Sequence, residues 1–266
     1  MDKSGQRERE TEAALLIYAD DPESVVRRIA GIVRIADYRL LRQPSVTLRD
    51  LYFDTPDEAL RSHGLAVRLR ESGRIRLITL KGPSRPAGGG GRERLEIEMP
   101  WSKSALRRII KELANRDVIV QARRFDDNAR PLTAMKSLGL QIVQGRETRR
   151  TIRDIVLADK KGPRLAELAI DSVAYRFGLE EIRLKMVEVE AKRQEGLPAL
   201  AAITRGLTDM LKPTLREWAY GKLATGMAVE KLLRKGALEG LVSRDRNLMP
   251  AAYDKLIRYL KRSGAK

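Results

Sequence analysis

Charged residues share one face of several strand-like segments, and this spacing constrains the fold more than any other feature of the chain. Successive side chains of a β-strand point to opposite faces, so residues two apart lie on the same face. Arg68 and Arg70 therefore share a face, with Val67 and Leu69 on the other. Four further groups share a face in the same way: Glu10 with Glu12; Arg94, Glu96 and Glu98; Glu167 with Asp171; and Glu188, Glu190 and Lys192.

Two arrangements of the sheet satisfy this pattern. The charged face can point into water, which is the commoner outcome for a strand taken alone. Alternatively, the strands can close into a barrel whose interior is charged, while the apolar faces pack under helices. Interior carboxylates would then need metal or arginine partners, because an isolated buried charge is costly. The pattern alone leaves both arrangements open.

The net charge indicates an anionic partner. The chain has 53 Lys and Arg against 36 Asp and Glu, a formal charge of +17. This excess favours phosphorylated small molecules, nucleic acid or an anionic membrane surface. The absence of cysteine excludes disulfides, thiolate nucleophiles and cysteine metal sites. No apolar run is long enough to span a bilayer, and residues 1–12 lack the apolar stretch of a signal peptide, so a cytoplasmic protein is expected.

Local patterns predict a strand-rich chain with several helices. Asp21 and Pro22 are typical of a helix start, and Ser102 is expected to cap another helix. Residues 82–91 (GPSRPAGGGG) are predicted to be a flexible loop. Strands are predicted at 65–72, 74–81, 92–100, 118–125, 139–144, 147–157, 164–176 and 182–192, and helices at 197–211, 214–235 and after Pro250.

Seven segments carry a resemblance to a known family. They are ETEAA (10–14), YFDTPDEALRSHGLAVRLRES (52–72), ITLK (78–81), RLEIE (94–98), ELAID (167–171), EVE (188–190) and GKLATGM (221–227). In this order they resemble the motifs ExExK, YFDTP…LRxR, LTLK, RxExE, ELAxD, ExE and SKxxxG of the CYTH family, the triphosphate tunnel metalloenzymes.

The resemblance implies an α+β fold. An eight-stranded antiparallel β-barrel would close into a tunnel flanked by helices, with charged side chains pointing inward around a shared polyanion. The CYTH domain would cover residues 8–227, and residues 228–266 would form a helical extension. The segment AAYDKLIRYL within that extension resembles the first helix of CHAD, a polyphosphate-associated domain.

The resemblance also implies the site residues. Carboxylates are hard oxygen ligands suited to Mg²⁺ or Mn²⁺, and arginine offers phosphate a planar pair of donors. Glu10, Glu12 and Lys222 are expected to be catalytic. The metal ligands would be Glu10, Glu12, Glu96, Glu98, Asp171, Glu188 and Glu190. The phosphate-binding residues would be Arg68, Arg70, Lys81, Arg94, Arg150 and Lys222, with Arg149 competing for the place of Arg150.

Two positions depart from the family motifs. Ala14 stands where the first motif has lysine, and Gly221 stands where the last has serine. Three consequences of Ala14 are open: another base compensates, activity is weakened, or the protein only binds.

Four functions follow from these observations. The first is a metal-dependent hydrolase of triphosphate compounds, with inorganic triphosphate the expected substrate. The second is a non-catalytic tunnel that binds polyphosphate or nucleotide, and the third is an adenylate cyclase of class IV type. The fourth, nucleic-acid binding, rests on charge alone and is not expected, because aromatic residues make up only 5% of the chain. No membrane partner is expected, and the sequence leaves open whether the chain forms a homodimer.

Overall fold

The computed structural model describes residues 9–121, 129–159 and 162–264. The strands are β1 (Arg9–Ile17), β2 (Arg34–Ile35), β3 (Tyr38–Arg42), β4 (Val46–Asp54), β5 (Ala66–Ser72), β6 (Ile75–Pro86), β7 (Arg92–Pro100), β8 (Gln141–Leu157), β9 (Ala166–Phe177), β10 (Glu180–Ala191) and β11 (Leu215–Glu217). The α-helices are α1 (Pro22–Gly31), α2 (Ala59–Ser62), α3 (Lys103–Ala114), α4 (Pro131–Ser137), α5 (Leu197–Met210), α6 (Lys222–Arg234) and α7 (Pro250–Arg262).

Eight strands pair in a closed ring. The order is β8-β4-β5-β6-β7-β1-β10-β9, and β9 pairs with β8 to complete it. β3 and then β2 continue from β8, and β11 pairs with β1. The expected fold is thereby confirmed: a closed eight-stranded antiparallel β-barrel with flanking helices and a helical C-terminal region.

Residue contacts divide the chain into two compact units. The first unit comprises Leu48–Ser84, Arg94–Arg146 and the described residues up to Glu10. Its core lies between one face of β4–β7 and the helices α3 and α4. Val67 and Leu69 are buried there against α3 residues such as Ile109. In β5, therefore, the face opposite Arg68 and Arg70 packs under helices, as the alternation predicts.

The second unit comprises Thr11–Thr47, Arg85–Glu93 and the described residues from Glu147 onward. One face of β1, β9 and β10 packs against α1 and α5. Leu15, Ile170 and Val189 are buried on this face, in contact with helix residues such as Ile29 and Ile203.

The C-terminal helices of the second unit cover the other face of these strands at one end. α6 and α7 contribute Val229, Tyr253 and Leu256 to a core that also buries Val173 and Met186. Because alternate residues share a face, Glu188 and Glu190 follow Met186 on the same side of β10. No helix within the described residues is long and apolar enough to cross a membrane.

The glycine-rich segment 82–91 is not the flexible loop that the sequence predicts. β6 continues through it to Pro86, and Gly82 and Gly91 are both buried. A Cβ at Gly82 would lie 3.0 Å from the Cβ of Leu95, and one at Gly91 would lie 3.2 Å from Thr11 Cγ2. These glycines therefore allow close packing of neighbouring chain segments.

Four other predicted elements differ in the structure. The predicted strands 139–144 and 147–157 are one strand, β8, because Gly145 stays extended within it. Residues 118–121 form no strand, and the rest of the predicted strand 118–125 lies outside the described residues. The predicted helix 214–235 begins only at Lys222, because β11 precedes it and the backbone N–H of Trp218 bonds to the carbonyl oxygen of Ala14.

Candidate functional site

Strand register places the charged residues of the first unit in rows on one face. Tyr52 of β4 lies directly opposite Arg68 of β5, which lies opposite Thr79 of β6. One pair further along, Asp50 lies opposite Arg70. The side chains of such opposed residues are in direct reach of one another.

The first cluster of ion pairs joins these rows to β7 and β1. Arg68 Nη2 donates to Glu98 Oε2 at 2.8 Å and to Thr79 Oγ1 at 3.1 Å. Lys81 Nζ donates to Glu96 Oε2 at 2.8 Å and lies 3.4 Å from Glu10 Oε2. Arg94 also donates to Glu10 Oε2, at 3.2 Å. The first unit thus brings together seven of the predicted site residues: Glu10, Arg68, Arg70, Lys81, Arg94, Glu96 and Glu98.

The first cluster also contains two buried charged residues that the sequence analysis missed. Asp50 accepts hydrogen bonds from Arg70 Nε at 2.7 Å and from Arg146 Nη2 at 3.0 Å. Arg146 Nη2 also donates to the Tyr52 hydroxyl at 2.7 Å. The sequence carried a signal for these positions. In Asp50-Leu51-Tyr52, for example, polar and apolar residues alternate with a period of two, which places Asp50 and Tyr52 on one face of the strand.

The charges of this cluster perturb two pKa values strongly. Burial by itself would raise the pKa of Asp50, but Arg68, Arg70 and Arg146 hold it well below its usual value. Burial would also raise the pKa of Tyr52, but the charges of Arg146 and Arg68 lower it to about 8. Asp50 therefore stays ionised at neutral pH, and the Tyr52 phenol titrates near physiological pH.

A second cluster lies within the second unit, on β8, β9, β10 and α6. Arg150 binds Asp171 through two hydrogen bonds, of 2.8 and 2.7 Å, and donates to Glu188 Oε2 at 2.7 Å. Lys222 Nζ lies 3.0 Å from Asp171 Oδ2 and contacts Glu188 Oε1. Arg149 is exposed, so Arg150 is the arginine of β8 that joins this cluster.

The charges of the second cluster perturb the pKa values of Arg150 and Asp171. Burial would lower the pKa of Arg150, but Asp171 and Glu188 raise it well above its usual value. Burial would raise the pKa of Asp171, but Arg150 and Lys222 lower it. These four side chains therefore form a buried network in which two negative and two positive charges balance.

Ala14 borders this network. It lies directly opposite Glu188 in the pairing of β1 with β10. Lys222, at the first position of α6, places its ammonium group on the carboxylate of that same Glu188. A cation thus reaches Glu188 from α6, although the strand position facing it is alanine.

Glu12 and Glu190, the remaining predicted residues, are also directly opposite each other on β1 and β10. Glu190 lies opposite Glu167 on its other side. Lys192 Nζ lies 2.5 Å from Glu190 Oε2 and 3.6 Å from Glu167 Oε1. A row of three carboxylates therefore crosses three neighbouring strands.

The donor set fits a divalent cation in its chemistry. Carboxylates on opposed strand positions, such as Glu12 and Glu190, can direct oxygens to one ion. Among the described residues, no three His, Cys, Asp or Glu side chains surround a common metal position. Mg²⁺ commonly needs only one or two carboxylates, because water and substrate phosphates complete its shell.

Comparisons with known proteins give the family and the fold. The model of the CYTH domain matches residues 25–205. A proposed adenylyl cyclase from Hippeastrum, with a dominant triphosphatase activity, aligns over 83% of this chain and 96% of its own at 14% identity and a TM-score of 0.50. A protein from Pyrococcus horikoshii covers 84% of this chain and 99% of its own, with 18% identity and a TM-score of 0.45. An inorganic triphosphatase covers 82% of this chain and 91% of its own, with 17% identity and a TM-score of 0.27. No curated protein matches the chain significantly.

Proposed function

Because the chain belongs to the CYTH family, we propose that it is a divalent-metal-dependent enzyme that hydrolyses triphosphate compounds, with inorganic triphosphate as the substrate. The observation that carries this proposal is the first cluster. Arg68, Arg70 and Lys81 lie there with side chains 3–15% exposed, on adjacent strands and on one face. Such a concentration of largely buried cations suits a polyanion that itself brings several negative charges.

The arginines and lysines are proposed to bind and orient the phosphate groups. Arginine presents two parallel N–H donors to phosphate oxygens, whereas lysine acts as a point charge. In this structure Lys81 and Arg94 are bound to the carboxylates of Glu96 and Glu10. A bound triphosphate would compete with those carboxylates for the same cations, and the released carboxylates would then be available to a metal ion.

In the second unit, a divalent cation, Mg²⁺ or Mn²⁺, is proposed to be held by Glu12 and Glu190, with Asp171 and Glu188 as the other candidate ligands there. Glu10, Glu96 and Glu98 are the candidate ligands in the first unit. When bound, such an ion would neutralise phosphate charge and lower the pKa of a bound water. Burial would raise the pKa of Asp171, but Arg150 and Lys222 lower it. The second cluster thereby supplies a carboxylate, that of Asp171, that remains negative at neutral pH.

Phosphate release from inorganic tripolyphosphate, with and without Mg²⁺ or Mn²⁺, tests the proposal. We expect release that requires the metal and that falls at least tenfold in Arg70→Met. Arg76→Met is the matched control, because Arg76 lies on β6, is 58% exposed and pairs with Glu71. Equal activity of the wild type and Arg70→Met, or no binding of tripolyphosphate by the wild type, would refute the proposal.

A non-catalytic binder of polyphosphate or nucleotide is the second candidate. Ala14 and the pairing of the acids with cations favour it. Binding of tripolyphosphate without turnover, measured by calorimetry on the same preparation, would select this candidate. Cyclic AMP formation from ATP would instead select the cyclase activity.

A further inference from the structure

Asp50 is the centre of the most buried part of the first cluster. Its side chain is 1% exposed, and those of Arg68 and Arg146 are each 3% exposed. Arg70 approaches it side-on, with Nε 2.7 Å from Oδ1 and Nη2 2.9 Å from Oδ2. Such a paired contact fixes the plane of the guanidinium group as well as its position.

Arg146 is oriented by the same carboxylate. Its Nη2 bonds to Asp50 Oδ2 and to the Tyr52 hydroxyl, and its guanidinium carbon lies 4.7 Å from the centre of the Tyr52 ring. Arg68 Nη1 lies 3.8 Å from Asp50 Oδ2. One carboxylate therefore touches three arginines that come from two different strands.

The cluster keeps hydrogen-bonding capacity for another anion. Because Arg70 meets Asp50 through Nε and Nη2, its Nη1 group lies at the other edge of the guanidinium plane. Arg68 Nε is buried and has no hydrogen-bond partner among the described residues. Asp50 lies against all three arginines and Glu98 pairs with one of them, Arg68, so these two acids balance two of the three positive charges. The positive charge that remains attracts a polyanion.

We propose that Asp50 is a positioning residue, which holds Arg70, Arg68 and Arg146 in the orientations that bind phosphate oxygens. The inference rests on the proposed function of this cluster. Ordering a flexible side chain during binding weakens affinity, and side chains that are already ordered avoid that loss. Without the carboxylate, the three like charges repel one another and the guanidinium groups must be ordered by the ligand.

Asp50→Asn tests the inference, because the amide keeps the shape of the side chain but removes its charge. We expect the Kd for inorganic tripolyphosphate, measured by calorimetry, to rise at least roughly fivefold, as the loss of order in two or three side chains implies. Glu71→Gln is the matched control, since Glu71 lies on β5, is half exposed and pairs with Arg76. Its Kd is expected to equal that of the wild type.

A double variant separates positioning from a general loss of stability. If Asp50 acts by orienting the guanidinium group of Arg70, Asp50→Asn should weaken binding less in an Arg70→Lys background than in the wild type. A destabilised fold with no positioning role would give additive effects on the Kd, and would overturn the inference. Circular dichroism at the assay temperature establishes that each variant is folded.

Asp50→Glu replaces Asp50→Asn if the latter does not fold. It keeps the negative charge but moves the carboxylate by one methylene, so a positioning role predicts a Kd at least roughly fivefold higher. A Kd equal to or below that of the wild type, in whichever variant is folded, overturns the inference. The proposed function is unaffected by that result as long as the wild type binds tripolyphosphate. Failure of the wild type to bind tripolyphosphate overturns both.

Discussion

Lys222 and Ala14 give the sharpest test of the second cluster, and the test needs no assumption about the substrate. Lys222 is 9% exposed and bonds to Asp171, which is fully buried, and to Glu188, which is 14% exposed. Lys222→Met keeps the length of the side chain but removes the ammonium group that contacts both carboxylates. Breaking a buried ion pair costs about 3–5 kcal/mol, and because Arg150 still binds both acids we expect about 2–3 kcal/mol.

A lysine at position 14 should compensate. Residue 14 faces Glu188 on the adjacent strand, and opposed Cβ atoms are about 4.5–5.5 Å apart, within the reach of a lysine side chain. In Lys222→Met, Ala14→Lys restores the charge balance, so we expect it to recover at least half of the lost stability. In the wild type the same change adds a third cation beside a balanced network, so we expect no gain in stability.

Chemical denaturation of the wild type, the two single variants and the double variant measures the coupling between the positions. Lys212→Met is the matched control, because Lys212 is 65% exposed and pairs with Asp209 on the surface. Its free energy of unfolding is expected to change by less than about 1 kcal/mol. The reasoning is refuted if Lys222→Met is as stable as this control, or if Ala14→Lys has the same effect in both backgrounds.

Three further predictions follow from particular residues. The pKa of Tyr52 is about 8, so a phenolate forms above that pH and cancels positive charge in the first cluster. The affinity for tripolyphosphate should therefore fall between pH 7 and 9. A calorimetric pH series measures this fall, which Tyr52→Phe should abolish. The folded-state pKa of this phenol lies below its unfolded value near 10, so the same ionisation should stabilise the folded chain as pH rises from about 8 to 10. Gly196→Ala should destabilise the protein by more than about 2 kcal/mol, because its Cβ would collide with the carbonyl oxygen of Leu165. Gly31→Ala has open space around the added Cβ, so it should stabilise α1 by up to about 1 kcal/mol. Thermal denaturation measures both changes. Glu12→Gln should raise the Mg²⁺ concentration needed for half-maximal phosphate release by at least about tenfold, and an unchanged requirement would remove Glu12 from the metal ligands.

The sequence determined which faces of the strands are charged. In Val67-Arg68-Leu69-Arg70 the alternation decides that the arginines share a face and that the apolar residues share the other, because the pleat of a strand has a period of two. The buried packing of Val67 and Leu69 under α3 confirms this. The family motifs carried the prediction further, to a closed barrel of eight strands, which the strand pairing also confirms. The catalytic, metal-binding and phosphate-binding roles stay predictions.

Only the tertiary structure decided which acid meets which base. Asp50 meets Arg70 because their strands pair in one register, and it meets Arg146 because the ring places β8 beside β4. Lys222 reaches Asp171 from a helix far along the chain. Periodicity assigns a residue to one face of its strand, but whether two side chains meet depends on strand order, register and side-chain length. Those quantities are set by the packing of the whole chain, and a single local segment does not contain them.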